Sequence, residues 1–160
     1  MAVLSDRDIR KAVESGRLRI GGFREENLTP NGYDLTIAEV AVLAREPETV
    51  RSGTAKVPPQ CRFAVSTAEV VELGPDVTAQ LWLRTTWARR GVLAAFGKVD
   101  AGFRGTLTLP ACNASPFDVL ELPVGERFAQ IVFEELTTPA EKVYEQRSGN
   151  YQDQRGVRLK

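Results

Sequence analysis

GKVDAGFRGTLTL, residues 97–109, sets one aspartate among three glycines and runs straight into an alternating segment. Gly97, Gly102 and Gly105 permit backbone angles and close approaches that a side chain would block. After them Leu107, Leu109 and Ala111 alternate with Thr106, Thr108 and Pro110, the period of two of a half-buried strand. Asp100, at the rim of that strand, is either a turn-former or a working group.

Outward from this stretch the chain reads as mostly β. Segments 40–43, 62–65, 68–73, 78–84, 91–96, 106–112, 117–122 and 128–136 have strand character. Gly53, Pro58-Pro59, Gly74-Pro75, Gly102, Pro116, Pro123 and Gly125 punctuate the gaps. Many short strands at close intervals predict a sandwich or barrel such as a jelly roll. One short helix is expected near the start: Ser5 caps an acidic first turn, Ile9, Ala12 and Val13 recur at helical spacing, and Gly16 stops it. In NLTPNGYDLTI, residues 27–37, Pro30-Asn31-Gly32 is a turn leading into Tyr33–Ile37. The tail from Glu145 is polar, rich in Gln and Arg, and is expected to be a mobile arm with little to bury.

A length of 160 residues predicts one domain that buries about 70% of the surface its unfolded chain exposes. Twenty-one basic and 21 acidic residues cancel, with no one-sided block, so no nucleic-acid footprint is expected. No apolar run approaches the ~20 residues that span a bilayer, and the first residues lack the regions of a signal peptide. A cytoplasmic location without membrane contact is the expectation. There is no histidine, which excludes Ser-His and Cys-His nucleophilic sites and histidine-held metals. Cys61 and Cys112 form no C-x-x-C unit, so the Zn²⁺ cage of the zinc deaminases is excluded too. A metal here must be a hard cation on oxygen ligands, and Mg²⁺ suits a site where phosphates help hold it.

Four segments, in order, resemble the nucleotide-binding motifs of the trimeric dUTPase and dCTP deaminase superfamily. They are PNGYDL (30–35), LRTTWARRG (83–91), GKVDAGFRG (97–105) and GERFAQ (125–130). The opening LSDRDIRKAVESGRL and the closing GNYQDQ resemble the dCTP deaminase branch, which includes archaeal-type dUTPases. The resemblance implies a mainly β, distorted jelly-roll (β-clip) fold with a short N-terminal helix and a flexible C-terminal arm. It implies a homotrimer with active sites at subunit boundaries and a deoxynucleoside triphosphate substrate carrying Mg²⁺. Residues 1–144 would form the hydrolase domain, and residues 145–160 the arm that closes over the site.

The resemblance also assigns roles. Asp100 matches the aspartate that acts on the attacking water, a task that phosphoryl hydrolysis requires. Lys98 and Val99 lie in the hairpin whose backbone reads the base. Phe103 either packs under the sugar, selecting deoxyribose, or is a core residue at a strand start. Arg84, Thr85, Thr86 and Arg89 offer hydroxyls and forked positive charge suited to a polyphosphate, with threonines where the family usually has serines. Gln130 would donate to a phosphate. Asp34 would hold Mg²⁺ through water, or else cap a turn or pair with an arginine. Tyr151, Gln152, Gln154 and Arg155 would close over the triphosphate as a lid.

One position separates hydrolase from deaminase. The deaminases carry a glutamate in the strand after the Asp motif, acting as general acid and base at cytosine C4. Here that position is Pro110, which has no titratable group, and Glu121, the nearest glutamate in sequence, falls on another expected strand. The reading is therefore a dUTPase on the deaminase branch's scaffold. The alternatives are a dCTP deaminase, a bifunctional dUMP-forming enzyme, and a nucleotide-binding protein without turnover.

Overall fold

The computed structural model describes residues 2–160. Helix α1 (Asp6–Glu14) leads into β1 (Leu18–Ile20), β2 (Leu28–Thr29), the long β3 (Gly32–Val42), β4 (Glu48–Val50) and β5 (Thr54–Val57). Then follow β6 (Arg62–Thr67), β7 (Val71–Leu73), β8 (Val77–Leu83), a short α2 (Thr85–Ala88) and β9 (Val92–Ala94). The quoted stretch supplies β10 (Lys98–Val99), β11 (Arg104–Gly105) and the start of β12 (Thr108–Asn113). The chain ends with β13 (Leu120–Pro123), β14 (Arg127–Glu135) and α3 (Tyr144–Arg147).

All pairings are antiparallel, and the main sheet runs β10-β8-β14-β3-β6-β12-β9, with β2 and β4 also on β3. Two smaller sheets, β1-β7-β11 and β13-β5, complete the distorted jelly roll. β3 turns the corner: its first half pairs with β14 and its second with β6, with a register shift between Ile37 and Glu39. Such a bulge lets one strand serve two sheets. Residues 97–109 are decisive for the same reason, because β10, β11 and β12 join three different neighbours. The core closes on Phe128, whose ring meets Phe63, Trp87 and Phe96 at centroid distances of 5.9–6.3 Å. No helix among the described residues is long and apolar enough to cross a membrane.

α1 forms where expected: Ser5 Oγ accepts from Asp8 N while the Asp8 carboxylate accepts from Ser5 N, a capping box. Three expectations change. Tyr33–Ile37, not among the expected strands, forms with Gly32 the first half of β3 directly after the turn at Pro30-Asn31, and residues 32–37 are all buried, which hides the alternation. The expected strand 68–73 shrinks to Val71–Leu73, because Glu69 turns inward to accept from Thr36 N at 2.9 Å. The tail, expected to be a free arm, lies against its own chain: Gln154 is buried and Thr106 N donates to Gln154 O at 3.0 Å.

Candidate active site

Strand register places the residues singled out by sequence on one face of the main sheet. Gln130 on β14 stands opposite Asp34 on β3 and Trp82 on β8, while Glu134 stands opposite Thr78, and Gln80 opposite Lys98. The intervening residues Tyr33, Leu35, Ala79, Ile131 and Phe133 point the other way and are buried in the core. Two separate cavities open at the ends of this face.

The first, of about 410 Å³, is lined by Thr29, Asp34, Trp82, Leu83, Arg84, Thr85, Thr86 and Gln130. The short α2 builds its rim. Trp87 is buried, rests on Phe128 and donates from Nε1 to Arg127 O at 2.8 Å, which turns Arg84, Thr85 and Thr86 outward. Arg84 Nε lies 3.0 Å from Asp34 Oδ2, and Arg127 Nη1 lies 3.6 Å from the same oxygen. Gln130 Nε2 donates to Thr29 Oγ1 at 2.8 Å. Burial pushes the Asp34 carboxyl above its ordinary value, and the two guanidinium groups offset part of that rise. Arg89 does not join this cavity; it is the exposed C-cap of α2.

The second cavity, of about 420 Å³, includes Thr78, Lys98, Asp100, Ala101, Tyr144 and Arg147 in its wall. Asp100 is exposed and opens a turn in which Phe103 N donates to Asp100 O at 3.1 Å. Thr78 Oγ1 donates to Val99 O at 2.8 Å, fixing the strand that leads to it. Val99 itself is buried, and Lys98 Nζ lies 3.7 Å from the carboxylate of Glu134. Phe103 is 5% exposed with its ring edge-on to Tyr144 at 5.6 Å, so within this chain it is a core residue. The amides of Gln152 and Gln154 engage backbone groups at Gly102, Arg104 and Thr106, and Tyr151 is exposed.

Within one chain the two cavities lie toward opposite ends of β8, with a third, of about 710 Å³ and walled by Gln80, Trp82, Phe96 and Lys98, between them. Asp100 follows the strand that pairs with Ala79, near the start of β8, whereas Arg84 follows its end. The register puts the Asp100 backbone beside Thr78, six steps along the chain from Arg84, or about 20 Å at ~3.3 Å per residue. Pro110 is exposed on β12, and the shallow cavity beside it, with Arg62, Leu93, Ala95 and Cys112 in its wall, holds no carboxylate.

The Mg²⁺ expectation finds no resident site in these residues. Among the described residues no group of three or more His, Cys, Asp or Glu could hold a metal ion. Asp34, the residue assigned to it, is instead ion-paired with Arg84 and Arg127, whose positive charge repels a cation. That is the arginine-paired alternative.

Sequence reading missed Thr29, Gln80, Trp82, Arg127, Glu134, Tyr144 and Arg147. The period-two pattern of β8 carried a signal for Gln80 and Trp82, since both sit one residue from buried or half-buried apolar positions. Arg127 lies inside GERFAQ itself.

Comparison with known proteins follows the same lines. The family model described as dCTP deaminase-like matches residues 3–136. A protein named probable deoxyuridine 5'-triphosphate nucleotidohydrolase, from Sulfolobus islandicus rod-shaped virus 1, is 37% identical over 158 residues, covering 98% of this chain and 97% of its own. A protein named dCTP deaminase from Pyrococcus horikoshii is 40% identical over 151 residues, covering 94% and 91%. Among solved structures, 2'-deoxycytidine 5'-triphosphate deaminase from Agrobacterium tumefaciens superposes with a TM-score of 0.68 at 22% identity, over 82% of this chain and 47% of that one.

Proposed function

Because the chain belongs to the dCTP deaminase-like family, we propose that it hydrolyses dUTP to dUMP and pyrophosphate. The observation that carries this reading is Pro110. The position where the resemblance puts a deaminase's glutamate holds a side chain that cannot take or give a proton, and no carboxylate lines the cavity beside it. Asp100, exposed on its turn, supports the hydrolytic half of the reading.

In the proposed reaction a water oxygen attacks the α-phosphorus and passes its proton to Asp100. The bond from the α-phosphorus to the bridging oxygen breaks, and pyrophosphate leaves. Arg84, Thr85, Thr86 and Gln130 bind the phosphate chain and stabilise charge as it develops. Mg²⁺ enters bound to the triphosphate, as part of the substrate, and no step is assigned to it.

Asp100 and Arg84 of one chain stand toward opposite ends of β8, and in this reading the Asp100 of one copy faces the Arg84 of the next. The sheet face between them fits such a contact, with Trp82 57% exposed on it and Leu93 66% exposed beside it. Three copies closing on a common axis, as the resemblance implies, would give three equivalent sites.

The second reading, deamination of dCTP, is favoured by the name of the 40% identical archaeal relative. Incubating the protein with Mg²⁺ and dUTP or dCTP, while following pyrophosphate and ammonia, separates the two. Hydrolysis predicts pyrophosphate from dUTP and no ammonia from dCTP. Ammonia from dCTP would replace this reading with the second.

A further inference from the structure

We propose that the C-terminal segment is a clamp in cis, fastened to residues 102–108 of its own chain and holding the turn that presents Asp100. Its consequence for turnover rests on the hydrolase reading above; the clamp itself does not.

The fastening follows the pattern of an added strand. Asp153 N donates to Arg104 O at 2.7 Å and Thr106 N donates to Gln154 O at 3.0 Å. The Arg104 guanidinium forks onto the Asp153 carboxylate, with Nη2 2.8 Å from Oδ2, and holds that carboxyl below its ordinary value. Further along, Val157 N donates to the Glu39 carboxylate and Arg158 N to Thr108 Oγ1 at 3.0 Å. Gln152 carries the hold to the turn. Its Nε2 donates to Gly102 O at 3.2 Å and its Oε1 accepts from Arg104 N at 3.1 Å, so one amide straddles Phe103. Before the tail proper, Tyr144 N donates to Ala101 O at 2.9 Å. The backbone from Ala101 to Arg104 is thus gripped on both sides.

The glycines give independent support. A Cβ on Gly102, at φ +82°, would sit 2.5 Å from Val143 Cβ. One on Gly105, at φ +152°, would sit 3.1 Å from Gln154 N, and one on Gly156, at φ +66°, 2.8 Å from the Glu39 carboxylate. Bare positions on both the turn and the tail are what close backbone docking needs. Gly105 therefore serves the tail, and Gly102 the segment just before it, at Val143.

Arg104→Ala, Asp153→Ala, their double variant and Gln152→Ala, all in the full chain, test this by amide exchange. Either charge deletion should speed exchange at Thr106 and Phe103 about fivefold, with the double variant no faster than the singles. Gln152→Ala should speed Phe103 and leave Thr106 nearly unchanged. On Mg²⁺–dUTP the same variants should lower kcat more than they raise KM, because they disturb Asp100 and not the phosphate contacts. Unchanged exchange in every variant would overturn the clamp. Faster exchange at Thr106 alone would overturn its hold on the turn, and faster Phe103 exchange with unaltered kcat would overturn its part in turnover. A parent protein that releases no pyrophosphate would refute the hydrolase reading, while the exchange rates would still judge the clamp.

Discussion

Asp100 stands exposed between a fixed strand and a closed turn, an arrangement that suits a group acting on water. Replacing it with Asn keeps its size and removes its basicity. Asp100→Asn should lower the rate of pyrophosphate release at least about 100-fold, the usual contribution of a general base, while nucleotide binding stays near parental. A variant that turns over normally would remove Asp100 from the mechanism. A second carboxylate, Glu69, bears on stability. Burial pushes it above its ordinary value of 4.5, against the opposing pull of its hydrogen bonds with Thr36. The folded chain then holds that proton more tightly than the unfolded chain does, so this group's contribution to stability declines as pH rises from the ordinary carboxylate range toward the raised value. Glu69→Gln can still accept from Thr36 N and has no proton to lose. Urea unfolding between about pH 4 and about pH 7 should show a flatter stability profile in the variant than in the parent. Identical profiles would place the titration elsewhere.

Short elements position the site, and they differ in how far sequence revealed them. β8 and β14 were legible within a residue or so at each end, because each is an apolar-rich run preceded by turn residues, Gly74-Pro75 before one and Pro123 and Gly125 before the other. The capped helix α1 was legible because its signals are local. β3 was not: Tyr33 to Ile37 are buried on both faces, so period two vanishes where the strand passes between sheets. α2 was hidden by its length of four residues, and its anchor Trp87 looked like any amphipathic position. Arg84 and Gln130 were found by motif, but the Arg84–Asp34 pair joins residues far apart in sequence and had to await the sheet register. The same holds for the tail, whose partners lie near residue 104. Trp87→Phe tests the role given to α2. It keeps the ring in the core but loses the bond to Arg127 O, and should cost about 1–2 kcal/mol in unfolding free energy and raise KM for dUTP. Parental stability and KM would mean that α2 is held by something else.

At the scale of the whole molecule, a single chain carries two cavities toward opposite ends of one sheet face, which the proposed function takes as half-sites. Their separation of about 20 Å follows from strand geometry and does not depend on any side-chain rotamer. An isolated chain should therefore be inactive, and activity should appear only where copies meet. Mixing two inactive variants examines this directly. Asp100→Asn and Arg84→Ala subunits, unfolded together and reassembled in equal amounts, would form some sites with the intact Asp100 of one copy opposite the intact Arg84 of another. Random assembly predicts recovery of about a quarter of parental pyrophosphate release from dUTP. If the variants co-assemble, confirmed by tagging one of them, and the mixture stays as inactive as its components, then Asp100 and Arg84 do not meet across a subunit boundary and the account fails.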